Sequence, residues 1–142
     1  MFDTSHLHPM LVHFPIALVI FGFLADLASL LFKKEAWLSK AGFYLLIIGT
    51  LAAIVTWLTG SFFTSELSGA AGKIKETHAL FATITVCLLL ITSALRILME
   101  LRKVQTGGLK WISFSLYALA AVCVGITGLY GGTLVYSYMM PL

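Results

Sequence analysis

Four long stretches of this chain are almost free of charge, and no other feature limits its fold as strongly. They cover about residues 10–32, 41–63, 79–99 and 111–136. A helix needs roughly 20 mostly apolar residues to cross the hydrocarbon layer of a bilayer. Helices also satisfy their own backbone hydrogen bonds, which lipid cannot do for them. Together the four stretches use most of the 142 residues, so residues 1–142 read as a single transmembrane domain with no room for a soluble one. Composition agrees: 60% of the residues are hydrophobic and 11% charged, against about 25% charged in a soluble domain. The fold class expected is an all-α membrane protein, a four-transmembrane-helix bundle.

Loop charge gives the orientation. The first loop carries Lys33, Lys34 and Lys40; the third carries Arg102, Lys103 and Lys110, with Arg96 just before it. The second loop has only Lys73 and Lys75, and the terminal segments have none. Basic loops stay in the cytoplasm. Loops one and three should therefore face inward, and both termini should face the periplasm of a bacterial inner membrane. The net charge of +3 sits in these loops and is not a nucleic-acid signal. The start "MFDTSHLHP" has neither the basic residues nor the cleavage site of a signal peptide. Cys87 and Cys123 lie inside apolar runs and form no CxxC or CxxCH, so covalent haem attachment and thioredoxin chemistry are not expected. Both read as buried structural thiols.

This orientation puts all four histidines on the outer side. His6, His8 and His13 crowd the first helix start in "HLHPMLVHFPIAL", and His78 opens the third helix. Proline disfavours helix in the residue before it and removes a backbone donor. Either the first helix begins at Pro15, or it begins at Pro9 and kinks at Pro15. Both readings turn residues 8–14 toward protein or a cavity rather than lipid.

The chain also reads as two tandem helical hairpins. One runs from His13 to the Gly60 of "LTG", the other from His78 to the Gly128 of "ITG". Same-sense hairpins are related by an axis along the membrane normal, which would set His13 opposite His78. Two histidines on facing helices can ligate haem b non-covalently. Gly60, Gly128, Gly131 and Gly132 would let the macrocycle approach the backbone, with His8 as reserve ligand or propionate partner. Three other readings stand beside this. In the first, His13 and His78 are polar residues bonded to backbone or each other; in the second, His6, His8 and His13 make a transition-metal site, with Asp3 the one nearby carboxylate; in the third, the His13–His78 pair handles protons. Asp26 and Arg96 fall at comparable depth, where an isolated charge is costly. An ion pair between them is expected; Arg96 could instead snorkel to the interface. The glycines of the fourth helix suit close helix packing as well as a cofactor.

The segments "LHPMLVHFPIAL…ADL" and "TGLYGGTLVY", with His78 on the third helix, resemble a bacterial membrane family named only as domain of unknown function 2231. His8, Pro9, His13, Pro15, Asp26, His78, Gly128, Gly131 and Gly132 carry the resemblance. "SYMMPL" stands where the family has a glycine-rich ending. The resemblance implies a four-helix integral membrane protein, sometimes joined to cytochrome c or Rieske modules, and so points to electron transfer. The functional expectation is an electron carrier with haem b at the periplasmic face. The alternative is an accessory subunit, without cofactor, of a larger respiratory complex. A self-contained enzyme is the weaker expectation. The partners expected are the lipid bilayer, membrane or periplasmic redox proteins and, as an option, a second copy.

Overall fold

A computed structural model describes residues 7–64, 67–104 and 107–138. It contains a short helix α1 (Leu7–Leu11), followed by α2 (His13–Leu31), α3 (Ala36–Phe63), α4 (Gly69–Leu101) and α5 (Gly108–Ser137). No strand occurs among the described residues. Four helices are long and apolar enough to span a membrane; α1 and α2 together make the first.

The α1–α2 junction settles how the chain enters that span. Val12 separates the two helices but keeps right-handed helical backbone, with φ −59° and ψ −27°, and its N–H bonds to the His8 carbonyl at 3.1 Å. The helix therefore starts before Pro9 and passes through Pro15. Pro15 deprives the Leu11 carbonyl of its usual donor, and the Thr56 hydroxyl of α3 reaches that carbonyl at 3.5 Å. The expectation that residues 8–14 turn together away from lipid is corrected. A continuous helix turns about 100° per residue, so His8 points inward while His13 and Phe14 are exposed.

α4 begins ten residues earlier than the apolar run suggests, at Gly69 rather than near 79. The segment "GAAGKIKET" is polar but holds good helix formers, and a helix can extend beyond the hydrocarbon. His78 thus lies in the third turn of α4. Its other end closes in a Schellman arrangement: Val104 N–H bonds to the Met99 carbonyl at 2.9 Å, and Lys103 N–H to that of Glu100 at 3.1 Å. Lys103 takes the left-handed conformation this requires, with φ 54°.

α2 packs most extensively on α3 and α4 on α5; the hairpins then meet through α3 with α4 and α2 with α5. The cyclic order is α2, α3, α4, α5, so α2 and α4 stand diagonally across the bundle. Their shared core is Val19, Leu46, Ala53, Leu89, Tyr117, Ala120 and Val124. Glycines set the closest seam. A Cβ on Gly42 would lie 3.1 Å from the Gly22 carbonyl, and one on Gly49 would lie 3.1 Å from a Val19 methyl. Small residues permit such approach in membrane bundles.

Burial exposes the register of the two hairpins. Along α2 and α4, Val19 and Leu89 are both fully buried, as are Gly22 and Thr92 or nearly so. These pairs share the 70-residue shift that separates Asp26 from Arg96. Along α3 and α5 the shift is one residue longer: Gly42 with Ser113, Leu46 with Tyr117, Gly49 with Ala120, Ala53 with Val124, every one buried. The alignment expected from "LTG" and "ITG", with His13 against His78 and Gly60 against Gly128, is out of register. On the buried positions, His8 corresponds to His78 and Gly60 to Gly131.

Candidate functional site: a histidine pair on the bundle diagonal

The pair on the diagonal is His8 with His78, not His13 with His78. The two rings meet edge to face, with centroids 6.2 Å apart and planes at 85°. His13 is two residues before the buried Pro15, about 200° round the helix, and its side chain is exposed. This removes His13 from the inward-facing site and from any metal site shared with His78. His6 lies outside the described residues, and among those described no cluster of three metal-ligating side chains forms.

Each hairpin seats its histidine in the same way. His8 Nδ1 donates to the Thr56 carbonyl at 3.0 Å, and His78 Nδ1 donates to the Thr127 carbonyl at 3.0 Å. A carbonyl can only accept, so the proton must sit on Nδ1. In the neutral ring this leaves Nε2 as a free lone pair. His8 Nδ1 also lies 3.2 Å from the Thr59 hydroxyl, which itself donates to the Thr56 carbonyl at 2.8 Å.

One turn beyond each acceptor carbonyl comes a glycine that makes room for the ring. A Cβ on Gly60 would stand 2.8 Å from His8 Cε1, and one on Gly131 would stand 3.2 Å from His78 Cε1. The shared unit is thus a threonine carbonyl, a glycine four residues on, and a histidine from the preceding helix. The sequence holds a signal for it in "TWLTG" and "TGLYG", hidden because the first threonine and last glycine of each are separated by unlike residues. Gly128 and Gly132 play no part in seating the histidines: a Cβ on Gly128 would meet Ile16, and Gly132 faces open space. Close to His78, Phe81 and Tyr130 stack with centroids 6.1 Å apart. Trp57 Nε1 instead donates to the Thr83 hydroxyl at 3.0 Å, joining α3 to α4.

A second polar cluster occupies the other end of the diagonal. Asp26 and Arg96 each lie about five turns beyond the histidine of their own helix, about 27 Å at 1.5 Å per residue. Arg96 grips the carboxylate with both terminal nitrogens, Nη1 to Oδ1 at 3.1 Å and Nη2 to Oδ2. Its Nε donates to the Ser113 hydroxyl of α5. The Arg96 side chain is only 12% exposed, so it does not snorkel. Beside the pair stands Tyr117, fully buried, whose hydroxyl has no hydrogen-bond partner among the described residues. Composition and spacing gave no hint of Ser113 or Tyr117 in this cluster. Between the two ends lies the apolar layer of Val19, Leu46, Leu89 and Ala120. The expectation of two buried thiols holds for Cys123 and is corrected for Cys87, whose position on α4 is on the outer face of the bundle; both are free thiols.

No curated protein and no solved structure matches this chain. Residues 4–141 match the sequence pattern of the family described as predicted membrane protein (DUF2231), and the chain belongs to that family.

Proposed function

We propose that the protein binds haem b through His8 and His78 and serves as an electron carrier at the periplasmic face of a bacterial inner membrane. The observation that carries this reading is the pair of carbonyl-anchored imidazoles on the diagonal, with centroids 6.2 Å apart. His8 and His78 would hold the iron through Nε2, the nitrogen that each Nδ1–carbonyl bond leaves as the lone pair of the neutral ring. Anchoring Nδ1 to a backbone carbonyl fixes the tautomer and orientation of a ligating histidine. Gly60 and Gly131 supply the clearance that a side chain would fill. Haem would supply a one-electron iron centre whose potential follows its axial ligands and its burial. The Thr56 and Thr127 carbonyls hold the rings and, by accepting from Nδ1, leave Nε2 as the lone-pair atom of each neutral ring.

Sidedness follows from charge. Lys33, Lys34, Lys40, Arg102, Lys103 and Lys110 all lie at the end of the bundle opposite the histidines. Positive loops are retained in the cytoplasm, so the histidine end faces outward. One site at one face moves electrons along that face and requires redox partners in the membrane or the periplasm.

The test is a reduced-minus-oxidised visible spectrum of the protein purified in mild detergent. Soret and α bands are expected, lost in His8→Ala and in His78→Ala and kept in His13→Ala. Absence of bands in the unaltered protein would sink the haem reading. It would leave the histidines as ties within each hairpin, His8 to α3 and His78 to α5, of a cofactor-free accessory subunit.

A further inference from the structure

We infer that the two hairpins have diverged into complementary halves, and that Asp26–Arg96 together with Gly22–Tyr117 makes each hairpin fit the other rather than a second copy of itself. No cofactor is needed for this fit. The burial register matches, so that positions 70 residues apart on α2 and α4 are equivalent. Residues on the diagonal meet their own equivalents. Pairing hairpin α2/α3 with a copy of itself would bring two Asp26 carboxylates together. Pairing α4/α5 with its copy would bring together two Arg96 guanidiniums. Like charges in a low-dielectric core repel strongly, whereas the native pairing joins opposite charges in a bidentate bond.

Shape repeats the same discrimination on a different seam. Where α2 meets α5, a Cβ on Gly22 would fall on the Tyr117 hydroxyl. The equivalent positions where α4 meets α3 are Thr92 and Leu46, both fully buried. By this equivalence each seam pairs a smaller residue with a larger one: glycine with tyrosine at α2–α5, threonine with leucine at α3–α4. Self-pairing of the first hairpin would set Gly22 against Leu46 and leave a void. Self-pairing of the second would set Thr92 against Tyr117 and overfill the core. Both faults destabilise.

The test uses the full-length chain in detergent, with thermal unfolding as readout. Asp26→Arg and Arg96→Asp should each lower the melting temperature, and the charge-swapped double variant should recover at least half of the summed loss. A double variant no more stable than the sum of the singles predicts would overturn the electrostatic part. The second arm transplants one seam onto the other. Tyr117→Leu should destabilise the natural protein but stabilise the Gly22→Thr variant, where it recreates the threonine–leucine match. A loss of stability in both backgrounds would overturn the steric part, and with it the equivalence of the two seams.

Discussion

The two ends of the α2–α4 diagonal are built from equivalent positions yet carry opposite solutions. At one end the two halves contribute the same residue, His8 and His78, each seated on a threonine carbonyl at 3.0 Å. At the other end they contribute opposite charges, Asp26 and Arg96. A neutral imidazole tolerates its own copy across an axis, and a ligand centred on that axis requires two like donors. An ionised carboxylate or guanidinium cannot face its own copy inside a membrane. Symmetry is therefore kept where the residue is neutral and broken where electrostatics forbids it.

The comparison breaks most easily at the charged end. Asp26→Ala should cost about 3–5 kcal/mol, because it strands a buried guanidinium. Replacing both partners with leucine should cost far less, since no unpaired charge remains. Melting curves of the three proteins in one detergent check this, and equal losses in the single and double variants would contradict it. At the histidine end the expected effects are smaller and unequal between the halves. Gly60→Ala pushes a methyl to 2.8 Å from the His8 ring, and Gly131→Ala to 3.2 Å from that of His78. The first should lose about 1–3 kcal/mol by overpacking, and the second should lose less. The same two variants, read by visible spectroscopy, show whether displacing either ring disturbs the proposed iron site.

Thr56→Val sharpens the picture further. It removes the hydroxyl that meets the Leu11 carbonyl at 3.5 Å but keeps the carbonyl that holds His8. The expected loss is about 0.5–1.5 kcal/mol, with His8 still anchored. Thermal unfolding measures the first part, and an unchanged spectrum the second. Tyr117→Phe should have the smallest effect and the opposite sign. The hydroxyl it removes is buried without a partner among the described residues, a state that itself costs about 1–3 kcal/mol. The variant should melt at or slightly above the natural protein, and a clear loss of stability would reveal a partner for that hydroxyl.

How much of this was legible in the sequence differs from feature to feature. Helix number and approximate span came through because apolar length is a local property. Asp26 and Arg96 were recognisable as partners because two charges at one depth in lipid have few other options. The helix ends were less clear. α4 runs ten residues past its apolar stretch, since hydropathy marks where lipid begins and not where hydrogen bonding stops. The choice between His8 and His13 lay beyond the sequence reading. It depends on whether the helix turns through Pro15 or starts there, and Thr56, far along the chain, is what meets the carbonyl that Pro15 leaves without a donor.

By itself, then, the sequence determined a four-helix membrane protein and the end that carries the basic loops. Those properties follow from the length, charge and order of segments, which each segment carries alone. Only the tertiary structure decided the rotation of each helix about its own axis. That rotation follows from which small residues let backbones close, at Gly22, Gly42 and Gly49, and such contacts exist only between segments. It turned His8 inward and His13 outward, corrected the register of the repeat, and set Gly131 rather than Gly128 beside His78.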